Sequence, residues 1–85
     1  MAKVLMYTKT ICAYCIRAKN LLRAKNIEFE EINVDHKPPE FYENLKKQTG
    51  WMTVPQIFIN GKLIGGYDDM KALDSEGKLD QLLGQ

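Results

Sequence analysis

The chain alternates between short apolar runs and segments with a helical period. Residues 4–7 form a continuous apolar run, as expected for a strand that is buried on both faces. Residues 12–25 have a helical period instead, and Asn26 can adopt the left-handed conformation that ends a helix. The apolar face of this predicted helix carries Cys15, Ala18, Leu21 and Leu22.

The next two segments predict an edge strand and a second helix. Residues 29–34 alternate imperfectly between apolar and polar side chains, which favours an exposed or edge strand. Pro38-Pro39 suits the first turn of a helix, because a proline there gives up only an N–H that would be unpaired, and Gly50 suits its end. The inner side of this helix is predicted to carry Phe41, Tyr42, Leu45 and Gln48.

The last third of the chain predicts a hairpin and two short helices. Residues 56–64 contain two apolar runs around Asn60-Gly61, and this is the strongest short-range hairpin signal. Asp68 or Asp69 can cap a helix that continues through Leu73. A final helix carries three leucines, Leu79, Leu82 and Leu83.

The predicted order β-α-β-α-β-β-α-α limits the topology. A right-handed crossover makes the first two strands parallel, whereas the hairpin is antiparallel. The simplest way to bury the apolar faces is an α/β fold: a four-stranded mixed sheet with helices on both faces. A chain of 85 residues has room for one core, so residues 1–85 are predicted to form a single domain.

Composition and charge narrow the function classes. Twelve Lys and Arg stand against eleven Asp and Glu, so electrostatics gives no support for nucleic acid or membrane binding. The apolar run at 4–7 is too short for a signal sequence or a membrane span. We therefore expect the cytoplasm, where a pair of cysteines indicates catalysis or metal binding.

The two cysteines, Cys12 and Cys15, carry most of the chemical information. Residues three apart on a helix lie about 5 to 6 Å from each other, a separation that a disulfide accepts. Unpaired N–H groups and a partial positive charge at the helix start favour the Cys12 thiolate, and Lys9 adds a full charge. Such settings lower the pKa of a thiol from about 8.5 to roughly 3.5–7.5. The sequence predicts Cys12 as nucleophile and Cys15 as resolving thiol.

Two other interpretations of the cysteines are weaker. An inert buried pair does not suit Cys12, which falls at a junction between loop and helix. Structural zinc needs four ligands, whereas this chain offers the two cysteines and His36, so no metal site is predicted.

Four segments together resemble a known family. They are Tyr-Thr-Lys at 7–9 before Cys-Ala-Tyr-Cys at 12–15, Thr-Val-Pro-Gln-Ile-Phe-Ile at 53–59, Asn-Gly at 60–61, and Gly-Gly-Tyr-Asp-Asp at 65–69. In this order and spacing, the chain resembles a dithiol glutaredoxin of the thioredoxin superfamily over nearly its whole length. The resemblance implies a thioredoxin-like fold and a glutathione-dependent oxidoreductase that reduces protein disulfides and glutathione mixed disulfides.

The resemblance also implies a glutathione site beside Cys12. Pro55 would be cis, and the Val54 backbone would pair with glutathione as an added strand. The residues implied are Lys9, Tyr14, Gln48, Thr53, Val54, Pro55, Gly66, Tyr67 and Asp68. Simpler interpretations stay open: Asp68 and Asp69 as helix caps only, and Gln48 as a solvated helix residue.

Departures from the family pattern leave alternatives. Ala13 stands where the commoner motif has proline, so the redox potential does not carry over, and some relatives without this proline bridge a [2Fe-2S] cluster between two monomers. Cys15 argues against a dedicated cluster carrier, which usually lacks it. Tyr67 replaces a Cys or Ser that many relatives have, which leaves the site intact. Lys9 and residues 66–68 favour glutathione over a thioredoxin-like carrier that a reductase recharges.

The resemblance also sets expectations for partners. Glutathione and glutathionylated or disulfide-containing proteins are the expected ones, with ribonucleotide reductase as a candidate. The chain is expected to act as a monomer, without nucleic acid or a membrane.

Overall fold

The computed structural model describes residues 2–50 and 53–84. Its elements are β1 (Val4–Thr8), α1 (Ala13–Ala24), β2 (Glu30–Asn33), a 3-10 helix (Val34–His36), α2 (Pro39–Thr49), β3 (Gln56–Ile59), β4 (Lys62–Gly65), α3 (Tyr67–Ser75) and α4 (Lys78–Leu82). The predicted order of strands and α-helices is confirmed. The 3-10 helix was not predicted, because three residues are too few to show a period.

The four strands form one mixed sheet in the order β2-β1-β3-β4. β1 and β2 are parallel, as the crossover rule predicts. β3 is antiparallel to both β1 and β4. β2 lies at an edge of the sheet, which agrees with its imperfect alternation.

The central strand β1 contributes to packing on both faces of the sheet. Val4 and Met6 are buried on the face that α1, α3 and α4 cover, within a core of Val4, Met6, Ala18, Leu22, Ile57, Ile59, Met70, Leu79 and Leu83. Tyr7 points to the opposite face, where its ring centroid lies 5.9 Å from that of Phe41 in α2 and 5.7 Å from that of Phe58. Helices therefore cover both faces of the sheet, as predicted.

The predicted turn residues adopt the expected backbone conformations. Asn26, just after α1, has a φ of 58°, and Gly50, which ends α2, has a φ of 67°. Asn60 and Gly61 both have positive φ, 54° and 81°, as a tight hairpin turn with matching twist requires. Pro39 occupies the first turn of α2.

One prediction about α2 is wrong. Leu45 is buried, but Gln48 is exposed and does not belong to the inner side. A residue three positions further along a helix is rotated by roughly 60° from the first, which takes Gln48 off the buried stripe.

Side-chain contacts join elements that are distant in the sequence. The Lys25 ammonium, after α1, lies 2.7 Å from a carboxylate oxygen of Asp74 in α3 and 2.7 Å from one of Asp80 in α4. The Asp74 hydrogen bond, followed by that of Asp80, raises the pKa of Lys25. Within the described ranges 2–50 and 53–84, no helix has the length and apolar character needed to cross a bilayer.

A second contact joins β1 to β2 near their carboxyl ends. The buried Thr8 hydroxyl donates to Glu31 Oε2 at 2.7 Å, and Lys19 Nζ lies 3.1 Å from the same oxygen. The Thr8 hydrogen bond, with help from Lys19, lowers the pKa of Glu31. Ionised Glu31 therefore stabilises the folded state at pH values above the ordinary glutamate pKa of about 4.3. This contribution is lost as the pH falls through the lower pKa that Glu31 has in the folded protein.

The first prediction concerns two leucines of α4. Leu79→Ala should lower the free energy of unfolding by about 2 to 5 kcal/mol, because it opens a cavity in a core where Leu79 is 0% exposed. Leu82→Ala is the matched control: this side chain is 40% exposed, and the expected cost is about 0.5 kcal/mol or less. Urea unfolding measures both, and equal losses would contradict the assigned packing.

The second prediction concerns the Thr8–Glu31 hydrogen bond. Thr8→Val removes the donor at nearly constant volume, so the variant should be less stable at neutral pH and should lose less stability on acidification below about pH 4. Thr8→Ser retains the hydroxyl and should keep the wild-type pH dependence. Urea unfolding between pH 3 and 7 tests this, and a Thr8→Val variant with the wild-type pH dependence would contradict it.

Candidate active site

Cys12 occupies the N-cap position of α1. Its backbone is extended, with φ of −156° and ψ of 101°, and its sulfur accepts a hydrogen bond from the Cys15 N–H at 3.1 Å. The two cysteines form a disulfide, with their Cα atoms 5.2 Å apart. The predicted spacing is therefore confirmed.

The two sulfur-bearing residues differ in exposure. Cys12 is half-buried, whereas Cys15 is 1% exposed because it lies on the inner face of α1. A substrate can approach Cys12 from the surface, but it cannot reach Cys15 without passing its neighbour. The roles of Cys12 as nucleophile and Cys15 as resolving thiol stay predictions.

The segment before β3 runs beside Cys12. The carbonyl oxygen of Val54 lies 3.9 Å from the Cys12 sulfur, and the Val54–Pro55 peptide bond is cis, as the resemblance implies. β3 begins at Gln56 and pairs with β1, with Gln56 opposite Tyr7. This pairing brings Val54 to the end of the sheet from which the cysteine loop emerges.

A cavity of about 360 Å³ opens next to the cysteines. Its lining residues are Tyr14, Thr53, Val54, Pro55, Gly66, Tyr67, Asp68 and Asp69. The structure thus brings together all the residues predicted for glutathione except Lys9 and Gln48. The rings of Tyr14 and Tyr67, with centroids 6.1 Å apart, form one wall.

Lys9 and Gln48 lie outside the lining of this cavity. The Lys9 ammonium is 5.1 Å from the centroid of the Tyr42 ring, and Gln48 is exposed on α2. A role for either residue in binding therefore requires a ligand that extends beyond the cavity.

Asp68 and Asp69, either of which the sequence allowed as the helix cap, make different contacts at the start of α3. The Asp69 carboxylate accepts a hydrogen bond from the Gly66 N–H at 3.0 Å, which identifies Asp69 as the helix cap. Both residues are exposed and line the cavity, but this capping hydrogen bond involves Asp69 and not Asp68.

Asn33 and Asp35, which no motif in the sequence pointed to, contact the loop before Cys12. The Thr10 N–H donates to Asp35 Oδ2 at 2.7 Å, and Asn33 Nδ2 donates to Thr10 Oγ1 at 3.1 Å. The spacing Asn33-x-Asp35 is a recognisable cap, in which the Asp35 N–H donates to Asn33 Oδ1 at 2.8 Å. No local sequence signal predicts the contact of Asp35 with Thr10, because this contact arises from the pairing of β1 with β2.

Two further features delimit the site. A larger cavity, of about 1000 Å³, lies at the opposite end of β1 and contains none of the predicted site residues; it is lined by Ala2, Lys3, Val4, Leu5, Asn26, Ile27, Glu28, Phe29, Glu30, Phe58, Gly61, Leu83 and Gly84. In the described part of the chain, no three His, Cys, Asp or Glu side chains gather closely enough to hold a metal ion.

The chain is similar to proteins of one family. A family model described as Glutaredoxin matches residues 4–64. Over 83 residues the chain is 49% identical to a glutaredoxin of Pseudomonas aeruginosa, with 98% of each chain covered. It is also 49% identical over 83 residues to glutaredoxin 3 of Escherichia coli (strain K12), with 98% of this chain and 99% of that protein covered.

Solved structures agree with the sequence relatives. The fold matches a buckwheat glutaredoxin–glutathione complex with a TM-score of 0.91 at 33% identity, covering 98% of this chain and 77% of that one. It matches the glutaredoxin of Brucella melitensis with a TM-score of 0.84 at 46% identity, covering 100% of this chain and 94% of that one. A chain this similar over its whole length belongs to the glutaredoxin family, and thiol–disulfide oxidoreduction is accordingly the chemistry of its cysteine pair.

Proposed function

We propose that this protein is a glutathione-dependent oxidoreductase that reduces glutathione mixed disulfides and protein disulfides. The observation that carries the proposal is the cavity beside Cys12, which residues 53–55 and the start of α3 line together. A short extended peptide with a charged amino-acid end fits such a cavity. The buckwheat relative, whose structure is a glutathione complex, supports the same choice of ligand.

Glutathione would bind with its sulfur toward Cys12 and its γ-glutamyl end toward α3. The Val54 backbone would pair with the peptide, as an edge strand pairs with an added strand. The backbone N–H groups in the first turn of α3 would receive the α-carboxylate, and the Asp68 carboxylate would receive the α-ammonium. Lys9 and Gln48, outside the cavity, would contact the glycyl carboxylate.

The first chemical step is an exchange at the glutathione sulfur. The Cys12 thiolate attacks this sulfur in a glutathionylated protein, so a Cys12–glutathione bond forms and the protein leaves as a thiolate that takes a proton from water. The Cys15 N–H, 3.1 Å from the Cys12 sulfur, stabilises the thiolate before attack and again when it leaves.

Two routes then regenerate Cys12. In the monothiol route, a second glutathione thiolate attacks the bound glutathione sulfur and releases glutathione disulfide and the Cys12 thiolate. In the dithiol route, which serves protein disulfides, the Cys12 thiolate attacks one sulfur of the substrate disulfide and forms a mixed disulfide with it, while the other substrate sulfur leaves as a thiolate. The Cys15 thiolate then attacks the Cys12 sulfur and displaces the second substrate thiolate. The resulting Cys12–Cys15 disulfide is the form present in this structure, and two glutathiones reduce it.

The substrates and setting follow from this mechanism. We propose glutathionylated and disulfide-containing proteins as substrates, with ribonucleotide reductase as one candidate, and the cytoplasm as the location. The cytoplasm is a reducing compartment, where the glutathione pool favours the reduced form of the substrates in thiol–disulfide exchange.

The third prediction separates the two cysteines. Cys12→Ser should reduce turnover of a glutathione mixed disulfide to the uncatalysed background, because every route begins at Cys12. Cys15→Ser should keep this activity and lose the reduction of protein disulfides. A coupled assay with glutathione and glutathione reductase measures both.

Two results of that assay would contradict the proposal. One is a Cys12→Ser variant with wild-type turnover. The other is a wild-type protein that thioredoxin reductase can recharge but that does not respond to glutathione.

The fourth prediction tests the seat of the γ-glutamyl group. Asp68→Asn should raise the KM for glutathione about twofold to fivefold, the usual size for an exposed charge pair, while kcat changes little. Glu43→Gln removes the same charge from an exposed position on α2 and serves as the control. Equal effects of the two variants would show that Asp68 acts only through net charge.

A further inference from the structure

The loop that delivers Cys12 to α1 is short and is held by few side chains. β1 ends at Thr8 and α1 begins at Ala13, so residues 9–12 make the whole connection. Ile11, directly before Cys12, is 95% exposed and adds no packing to the loop. Polar contacts of Thr10 help to anchor this loop.

Thr10 supplies those contacts through its backbone and its hydroxyl. Its N–H donates to Asp35 Oδ2 at 2.7 Å, and its hydroxyl accepts from Asn33 Nδ2 at 3.1 Å. Asn33 also accepts the Asp35 N–H at 2.8 Å, so the two partners hold each other. We call Thr10, Asn33 and Asp35 the loop clamp.

The Asp35 carboxylate is the charged member of the loop clamp. The Thr10 backbone N–H, followed by the Thr10 hydroxyl, holds the pKa of Asp35 below its ordinary value, and the nearby charges of Lys9 and His36 act in the same direction. Asp35 is therefore an ionised acceptor at neutral pH, and hydrogen bonds to an ionised acceptor are stronger than neutral ones.

We propose that Asp35 is a positioning residue for Cys12: by holding Thr10, it keeps the loop in the conformation that sets the Cys12 sulfur against the Cys15 N–H. This inference rests on the proposed role of Cys12 as the nucleophile. The sulfur accepts that N–H at 3.1 Å only while Cys12 stays at the N-cap with extended backbone. A loosened loop moves the thiolate away from the N–H groups that stabilise it.

Positioning and plain charge predict opposite effects of losing Asp35. Removal of a nearby negative charge alone makes a thiolate easier to form and lowers the apparent pKa of Cys12. Loss of the contact with Thr10 makes the thiolate harder to form and raises the apparent pKa of Cys12. The sign of the change therefore distinguishes the two roles.

The fifth prediction uses this difference in sign. In a Cys15→Ser background, the pH dependence of Cys12 alkylation by iodoacetamide gives the apparent pKa of Cys12 without any use of glutathione. Asp35→Ala should raise this value by about 0.2 to 0.7 units, the equivalent of one helix-end interaction, and should slow alkylation at acidic pH about twofold to fivefold. Asp35→Asn keeps an acceptor oxygen for Thr10 and should give a value at or slightly below the reference.

The matched control is Asp74→Ala. Asp74 also holds a partner at 2.7 Å, namely Lys25, but it acts at the opposite end of α1. It should lower stability without changing the apparent pKa of Cys12. If Asp35→Ala does not fold, Asn33→Ala loosens the same loop clamp and should raise the value by a smaller amount.

Three results would overturn the proposal. The first is an apparent pKa of Cys12 in Asp35→Ala that is at or below the reference; Asn33→Ala replaces this variant if it does not fold. The second is a rise of the same size in Asp35→Asn, and the third is a rise of the same size in Asp74→Ala. Wild-type turnover with glutathione is measured in parallel, so that a failure of the proposed function appears there and not in the alkylation data.

Discussion

The pairing of β1 with strands on both sides is the constraint on which the rest of the structure depends. β1 lies between β2 and β3, and its alternating side chains contribute to the packing on both faces of the sheet. Burial of apolar surface on both faces is the main stabilising contribution available to a chain this small. A one-residue shift in the register of β1 would move its apolar residues to the wrong face and displace the loop at its carboxyl end.

The same strand pairings bring the site residues together at one end of the sheet. β1 and β2 are parallel, so both carboxyl ends lie there, together with the cysteine loop and the 3-10 helix. β3 is antiparallel to β1, so its amino end, preceded by Val54 and Pro55, lies at the same end of the sheet. β4 reverses again and places Gly66 and the start of α3 beside them. Two helix N-termini, those of α1 and α3, consequently face one cavity.

This arrangement makes the two thiols unequal. The helix start that holds Cys12 half-exposed also turns Cys15 into the core, where it is 1% exposed. Cys12 is therefore open to the surface, while Cys15 is enclosed beside it. The loop clamp adds a contact from β2 and the 3-10 helix, so the loop that carries Cys12 is held by residues far from the cysteine motif.

Local signals determined the elements and the reactive pair. Alternation, helical period and turn residues such as Asn60-Gly61 act over a few positions, and a Cys-x-x-Cys spacing at a helix start carries its chemistry with it. Tertiary structure decided the placement of β1 beside β3, the exposure of Gln48, the separate positions of Asp68 and Asp69, and the contact of Asp35 with Thr10. The strand placement and the Asp35–Thr10 contact depend on pairing between segments distant in the chain, and no periodic pattern within one segment records which partner a neighbouring strand will bring.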